Sequence, residues 1–315
     1  MKFGHGGFWL FILCCLFSTG CKDKVAQTDP YPIYPPVGAA FSAESGEVTF
    51  FSLLTNEITV TREIGEVVSS AAFALPGTAL YLANNYLGKI AIYSLPHMER
   101  IDLLETGGVP LDLCLNRVAT KIFLINANGN FRRFGRDDTN VDTLGVGLAP
   151  RRLTLKPVEE MQVWIACRGD SSVYIVDLLD FFAHDTLHFQ TPPSDVCFSL
   201  GGDIAYIALQ NGHGIARLSS DTFAESSRLS AGPGPIDLAL SHEGTMLVAS
   251  DSTLGEVRIW NFESGASWTQ MDIPVGGSAG RIRFASNNTF YVISRAESHV
   301  VCIDLRGPTP EIIDT

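Results

Sequence analysis

A stretch of about eight residues returns seven times at a nearly fixed interval, and this period constrains the fold more than any other feature. The copies are GEVTFFSL ending at Leu53, GKIAIYSL at Leu95, GNFRRFGR at Arg136, SSVYIVDL at Leu178, GHGIARLS at Ser219, GEVRIWNF at Phe262 and SHVVCIDL at Leu305. Successive ends lie 42, 41, 42, 41, 43 and 43 residues apart. A period in this range marks a propeller or a solenoid. The grammar inside each unit separates the two. Each copy alternates apolar and polar positions, as a half-buried strand does. A second apolar run precedes it (ALYLAN, KIFLIN, VWIAC, AYIAL, MLVAS, FYVIS) and a third precedes that (LDLCL, RRLTL, SDVCF, IDLAL, RIRFA). A more polar run closes the unit, as in RIDLLETGG. Four strands with Gly-, Asn- and Asp-rich turns make one blade. The expectation is an all-β, seven-bladed β-propeller of four-stranded blades over residues 37–315. The first copy offers only three runs, so either its blade holds three strands or the proline-rich segment before it substitutes for the missing one, and how the ring closes there stays open.

Two stretches carry a family resemblance: LYLANNYLGKIAIYSL, and GPGPIDLALSHEGTMLVASDSTLGEVRIWNF with its G-x-x-P-x-x-x-x-x-S-x-x-G opening. The units resemble the YVTN-type repeat of surface-layer-like and lactonase-like propellers. That resemblance implies architecture and says little about activity, because the superfold hosts many functions.

The N-terminus reads as an address. A lysine at position 2 precedes the apolar run Phe8–Phe17, which has the length of a signal-peptide core and is too short for a transmembrane helix. Ser18-Thr19-Gly20-Cys21 follows and resembles a bacterial lipobox, with Ser18 where the pattern favours leucine. The resemblance implies removal of residues 1–20, a lipid on Cys21 and, from Lys22 in the next position, the outer membrane. Residues 21–36 end in DPYPIYPP, prolines that fix φ and suit a tether. The expected partner is therefore the membrane, through that lipid.

Charge narrows the other partners. The chain of 315 residues carries a formal net charge of −12 and no run of Lys or Arg. Nucleic acid, which requires a basic face, is excluded as the expected partner. No nucleophile elbow, zinc-protease motif, phosphate loop or haem motif is present.

The one clustered polar feature lies on the first strands, which line a propeller's channel. Aligned repeats place Ser70, Asp112, Arg152, Asp195, Asp237 and Ile282 at one position, with Arg151, Arg281 and Arg283 beside them. Oxygen ligands from Asp112, Asp195 and Asp237 suit a hard divalent cation, and the arginines suit a carboxylate. The same residues also suit a repeated structural pairing between blades. The binding site expected at the channel mouth is Asp112, Arg151, Arg152, Asp195, Asp237, Arg281 and Arg283. No catalytic residue and no resident cofactor is assigned; a divalent cation in the channel is the one cofactor such a ring invites. The leading functional expectation is a non-enzymatic ligand- or protein-binding scaffold. Its rival is a lactonase-like hydrolase that uses the same Asp and Arg residues.

The remaining candidates are bland. His184 and His188 sit four apart on an expected outer strand, a span of about 13 Å that prevents both from reaching one ion. His97, His213, His242 and His299 are expected in turns. Cys114, Cys167, Cys197 and Cys302 replace aliphatic or small residues of sister repeats and read as buried thiols. Trp164, Trp260 and Trp268 read as packing.

Overall fold

The structure is a computed structural model and describes residues 14–15, 37–42, 46–65, 67–74, 78–95, 98–136, 140–263, 269–307 and 309–314. Cys21, His97, Trp268 and the tether expected over residues 21–36 lie outside them.

Among the described residues the strands form seven four-stranded antiparallel sheets. Blades 2 to 7 are each built from consecutive strands. Their first strands are Val68–Ala74, Pro110–Leu115, Pro150–Leu155, Pro193–Phe198, Pro235–Leu240 and Ala279–Ser286. Blade 1 supplies three strands of its own, Val37–Phe41, Glu47–Ser52 and Ile58–Glu63. Its channel-side place is taken by the two-residue strand Cys14–Cys15, with Cys14 opposite Ala39 and Cys15 opposite Gly38. This short strand also touches the first strands of blades 2 and 7. Blade 7 is complete within the chain and ends on Glu311–Asp314.

The leading residue of each repeat has a defined task. Gly46, Gly88, Gly129, Ser171, Gly212, Gly255 and Ser298 all adopt positive φ, between 54° and 81°. Each turns the chain from the second strand of its blade into the third. Glycine adopts this conformation freely, whereas a side chain meets steric cost. The repeat opens on Gly five times in seven for that reason.

Packing explains why the ring holds. The apolar residues of the described chain gather into seven clusters, one at each blade–blade interface. At blades 4 and 5 Trp164 is fully buried, edge-on to Phe198 at 5.2 Å. Trp260 is also buried, so both described tryptophans pack. Blade 7 meets blade 1 through Phe51 and Tyr291, with ring centroids 5.1 Å apart. The Tyr291 hydroxyl bonds Asn56 Oδ1 at 2.5 Å. Burying one such side chain contributes about 1.5–3 kcal/mol.

Two sequence expectations need correction. His299 opens the third strand of blade 7, His299–Asp304, and is buried. The thiols divide: Cys167 and Cys302 are buried, while Cys114 and Cys197 are only partly so because they face the channel.

Candidate functional site: a charged waist below an arginine mouth

The first strand of each of blades 2 to 7 enters the channel through a bulge. Pro235 pairs with Asp251, Asp237 with Ser250 and Leu238 with Ala249. In blade 7 Ala279 pairs with Ser294 and Ile282 with Val292. Ile282 therefore matches Leu238, and the residue that matches Asp237 is Arg281. The position assigned to Ile282 from sequence is corrected by one residue. The ring at this level comprises Ser70, Asp112, Arg152, Asp195, Asp237 and Arg281.

These side chains reach one blade forward. Leu113 N–H donates to Ser70 Oγ at 3.3 Å, and Leu153 N–H to Asp112 Oδ2 at 3.2 Å. Leu238 N–H donates to Asp195 Oδ2 at 2.7 Å, and Ile282 N–H to Asp237 Oδ2 at 2.9 Å. Each acceptor satisfies a backbone donor of the next first strand, where the wedge shape of neighbouring blades leaves no strand ladder. Arg152 has no acceptor to offer. Between blades 4 and 5 Thr154 Oγ1 instead donates to the Val196 carbonyl at 2.8 Å.

Opposite charges meet at this waist. Asp112, Asp195, Asp237 and Arg281 are 3%, 6%, 1% and 6% exposed, so they need partners inside the protein. Arg281 Nη2 lies 3.1 Å from Asp112 Oδ1, and Arg283 Nη1 lies 3.2 Å from Asp237 Oδ2. Arg152 Nε lies 3.8 Å from Asp237 Oδ1. Burial pushes the Asp112 carboxyl upward, but Arg281, Arg152, the Ser70 hydroxyl and Leu153 N–H together hold it below its usual value. Asp195 behaves oppositely. Burial, then the charge of Asp237, pushes it up to about 7 against the pull of Arg152. It makes no ion pair among the described residues.

The waist divides the channel into two chambers. The lower one, of about 460 Å³, is walled by apolar side chains with Cys114, Cys197 and His242 among them. Burial, then the charge of Asp195, pushes the Cys197 thiol up to about 12, and burial also raises Cys114 well above its normal value. Both are thiols, not thiolates, at neutral pH. Burial lowers His242.

The upper chamber, of about 400 Å³, is the mouth. Five arginines line it: Arg151, Arg152 and Arg168 from blade 4, Arg281 and Arg295 from blade 7. Ser69 and Asn85 of blade 2 add neutral polar groups, and among the described residues no carboxylate is in its lining. Arg151 Nε is buried without a hydrogen-bond partner. Burial and the charges of Arg152, Arg168 and Arg295 depress Arg151 to about 10. Burial, with the charge of Arg281, also lowers Arg295. Arg168 is exposed and bonds Gln210 Oε1 at 2.8 Å. Like charges crowded in a half-buried hollow create a field that attracts anions.

Six of the seven residues singled out from sequence meet at the waist, and Arg151 turns up into the mouth. Arg168 and Arg295 were missed. Each follows the last residue of its blade's second strand, Gln162–Cys167 and Thr289–Ser294. Aligning that position across repeats gives Asn85, Ala127, Arg168, Gln210, Ser252 and Arg295, which would have disclosed them. His184 and His188 are exposed on the outer strand Phe182–His188, away from the channel. No group of three or more His, Cys, Asp or Glu among the described residues is placed to hold a metal ion.

Fold and site together define a seven-bladed β-propeller with a waist of opposed charges and a cationic channel mouth. No protein-family model matches the chain, and no curated protein matches its sequence. Solved structures do. Hydrazine synthase of Kuenenia stuttgartiensis superposes with a TM-score of 0.72 at 13% identity, over 86% of this chain and 92% of that one. KlHsv2 carrying a Gly-Ser linker in place of its loop 6CD gives a TM-score of 0.69 at 10% identity, over 88% and 94%. At such identities the likeness shows the fold alone.

Proposed function

We propose that this chain is a non-enzymatic binding propeller of the bacterial cell envelope, tethered by lipid on Cys21, whose channel mouth takes an anionic ligand. The observation that carries the ligand reading is the mouth itself: five guanidiniums in one hollow with no carboxylate among the described residues of its lining. Guanidinium forks bind carboxylate and phosphate in bidentate geometry. The tether reading draws on the lipobox-like Ser18-Thr19-Gly20-Cys21 and the YVTN-like repeats. It requires removal of residues 1–20, so the lipidated chain lacks the Cys14–Cys15 strand and blade 1 keeps its own three strands.

The hydrolase reading draws on Asp195, a carboxyl pushed up to about 7 beside an apolar chamber, where a general base is effective. Against it, one Asp195 oxygen is held by Leu238 N–H, while Asp112 and Asp237 are committed to guanidiniums and backbone.

Calorimetric titration of the full-length chain with inorganic phosphate tests the proposal. Binding that is lost in Arg151→Gln is expected, together with fatty-acid labelling that is lost in Cys21→Ala. Turnover of simple lactones or esters that vanishes in Asp195→Asn would overturn it in favour of the hydrolase.

A further inference from the structure

The charges of the two chambers can be set against one another residue by residue. At the waist, the carboxyls of Asp112, Asp195 and Asp237 face the guanidiniums of Arg152, Arg281 and Arg283, with Asp195 pushed up to about 7 and so only partly ionised at neutral pH. That leaves Arg151, Arg168 and Arg295 as positive charges in the mouth with no carboxylate of their own among the described residues. Arg152 and Arg281 line both chambers, yet their charge is already answered from below.

We propose that the ligand of the mouth is a small multivalent oxyanion, with two or more negative charges on one molecule, held across the channel between blade 4 and blade 7. The inference rests on the anionic-ligand reading above and narrows it. A monovalent anion would relieve one of the three uncompensated guanidiniums and leave the other two repelling each other. Arg151 and Arg168 approach from blade 4 and Arg295 from blade 7, so one compact ligand with acceptor oxygens on opposite sides engages both. Arg151 supplies the second, independent sign: its Nε is buried and unpartnered, a donor whose unmet hydrogen bond costs about 1–3 kcal/mol until an acceptor arrives. Asn85 on blade 2 offers a neutral polar group on a third side.

Size follows from volume and from the field outside. The chamber of about 400 Å³ admits a small polycarboxylate, sulfate or a phosphate ester. A polymeric polyanion would have to lie over a chain whose net charge is −12, and repulsion there opposes it. The cationic mouth in an acidic molecule therefore selects for a small ligand.

The test is a valence series on the full-length chain. Citrate, sulfate and acetate are titrated by calorimetry at one ionic strength, set with sodium chloride. Citrate is expected to bind at least about tenfold more tightly than acetate, the equivalent of one added charge-assisted hydrogen bond, with sulfate between. Arg151→Gln and Arg295→Gln should each weaken citrate by about tenfold or more on the same grounds. Arg168→Gln, at an exposed position, serves if either of those fails to fold, and Arg228→Gln on an outer strand should leave binding unchanged. Acetate that binds as tightly as citrate, and depends on Arg151, would overturn the multivalent reading while keeping the anionic one. Citrate binding indifferent to all three mouth variants would overturn the placement. No binding of any of the three anions would overturn both.

Discussion

The waist and the mouth of the channel are built from the same residue types and solve opposite problems. At the waist every arginine has an aspartate, and every aspartate accepts a backbone hydrogen from the next blade. The mouth, built where Arg151 on a first strand meets Arg168 and Arg295 just beyond second strands, crowds arginines together. Buried charge that is paired holds a structure together, whereas buried charge that is left over is held in readiness for something else. The comparison teaches where substitution should unfold the protein and where it should only silence it.

The largest effect is expected at Asp237. Asp237→Ala removes the acceptor of Ile282 N–H and strands Arg283 and Arg152, and should cost about 3–5 kcal/mol in urea unfolding. A loss under about 1 kcal/mol would break the assignment of the waist to structure. Asp112→Asn keeps an oxygen for Leu153 N–H but deprives Arg281 of its counter-charge, and a smaller loss of about 1–3 kcal/mol is expected.

Asp195 sharpens the comparison through pH. Its folded carboxyl sits near 7 against an ordinary value of 3.8, so the folded state holds the proton that the unfolded state has released. Its contribution is full below about 4 and lost as pH rises through about 7. Stability should fall across that window. Asp195→Asn, which keeps an acceptor for Leu238 N–H, should flatten the slope and be the more stable form at pH 8. A slope unchanged in the variant would assign the titration to another group.

The smallest effect belongs to the mouth. Arg151→Gln should alter unfolding free energy by no more than about 0.5 kcal/mol, or raise it slightly by relieving Arg168 and Arg295. A large destabilisation there would erase the distinction between the two levels.

Most of the fold was legible because each blade repeats one packing solution. The leading Gly or Ser, the alternating third strand and the apolar second strand recur with every unit. The waist was nearly legible for the same reason. The slip at Ile282 has a physical origin: blades 3 to 6 begin their first strand on proline, which anchors the alignment, and blade 7 begins on Ala279. Arg168 and Arg295 belong to blades three apart in sequence, and only the curvature of the ring brings them together. The closing of blade 1 by Cys14–Cys15 joins residues far apart along the chain, and no local pattern announces it.

The forward reach of the ring acceptors gives the circle a direction. Blade 2 grips blade 3, blade 3 grips blade 4, blade 5 grips blade 6 and blade 6 grips blade 7. The sequence of grips is interrupted after blade 4, where Arg152 stands in the acceptor's place. The circle is thus two clasped arcs and not a uniform band, and its seams are where new chain ends belong. A permuted chain opened between blades 4 and 5 keeps both partners of every such clasp in adjacent, linked blades, whereas one opened between blades 5 and 6 leaves the Asp195–Leu238 clasp to form between the two chain ends; the first should refold faster than the second.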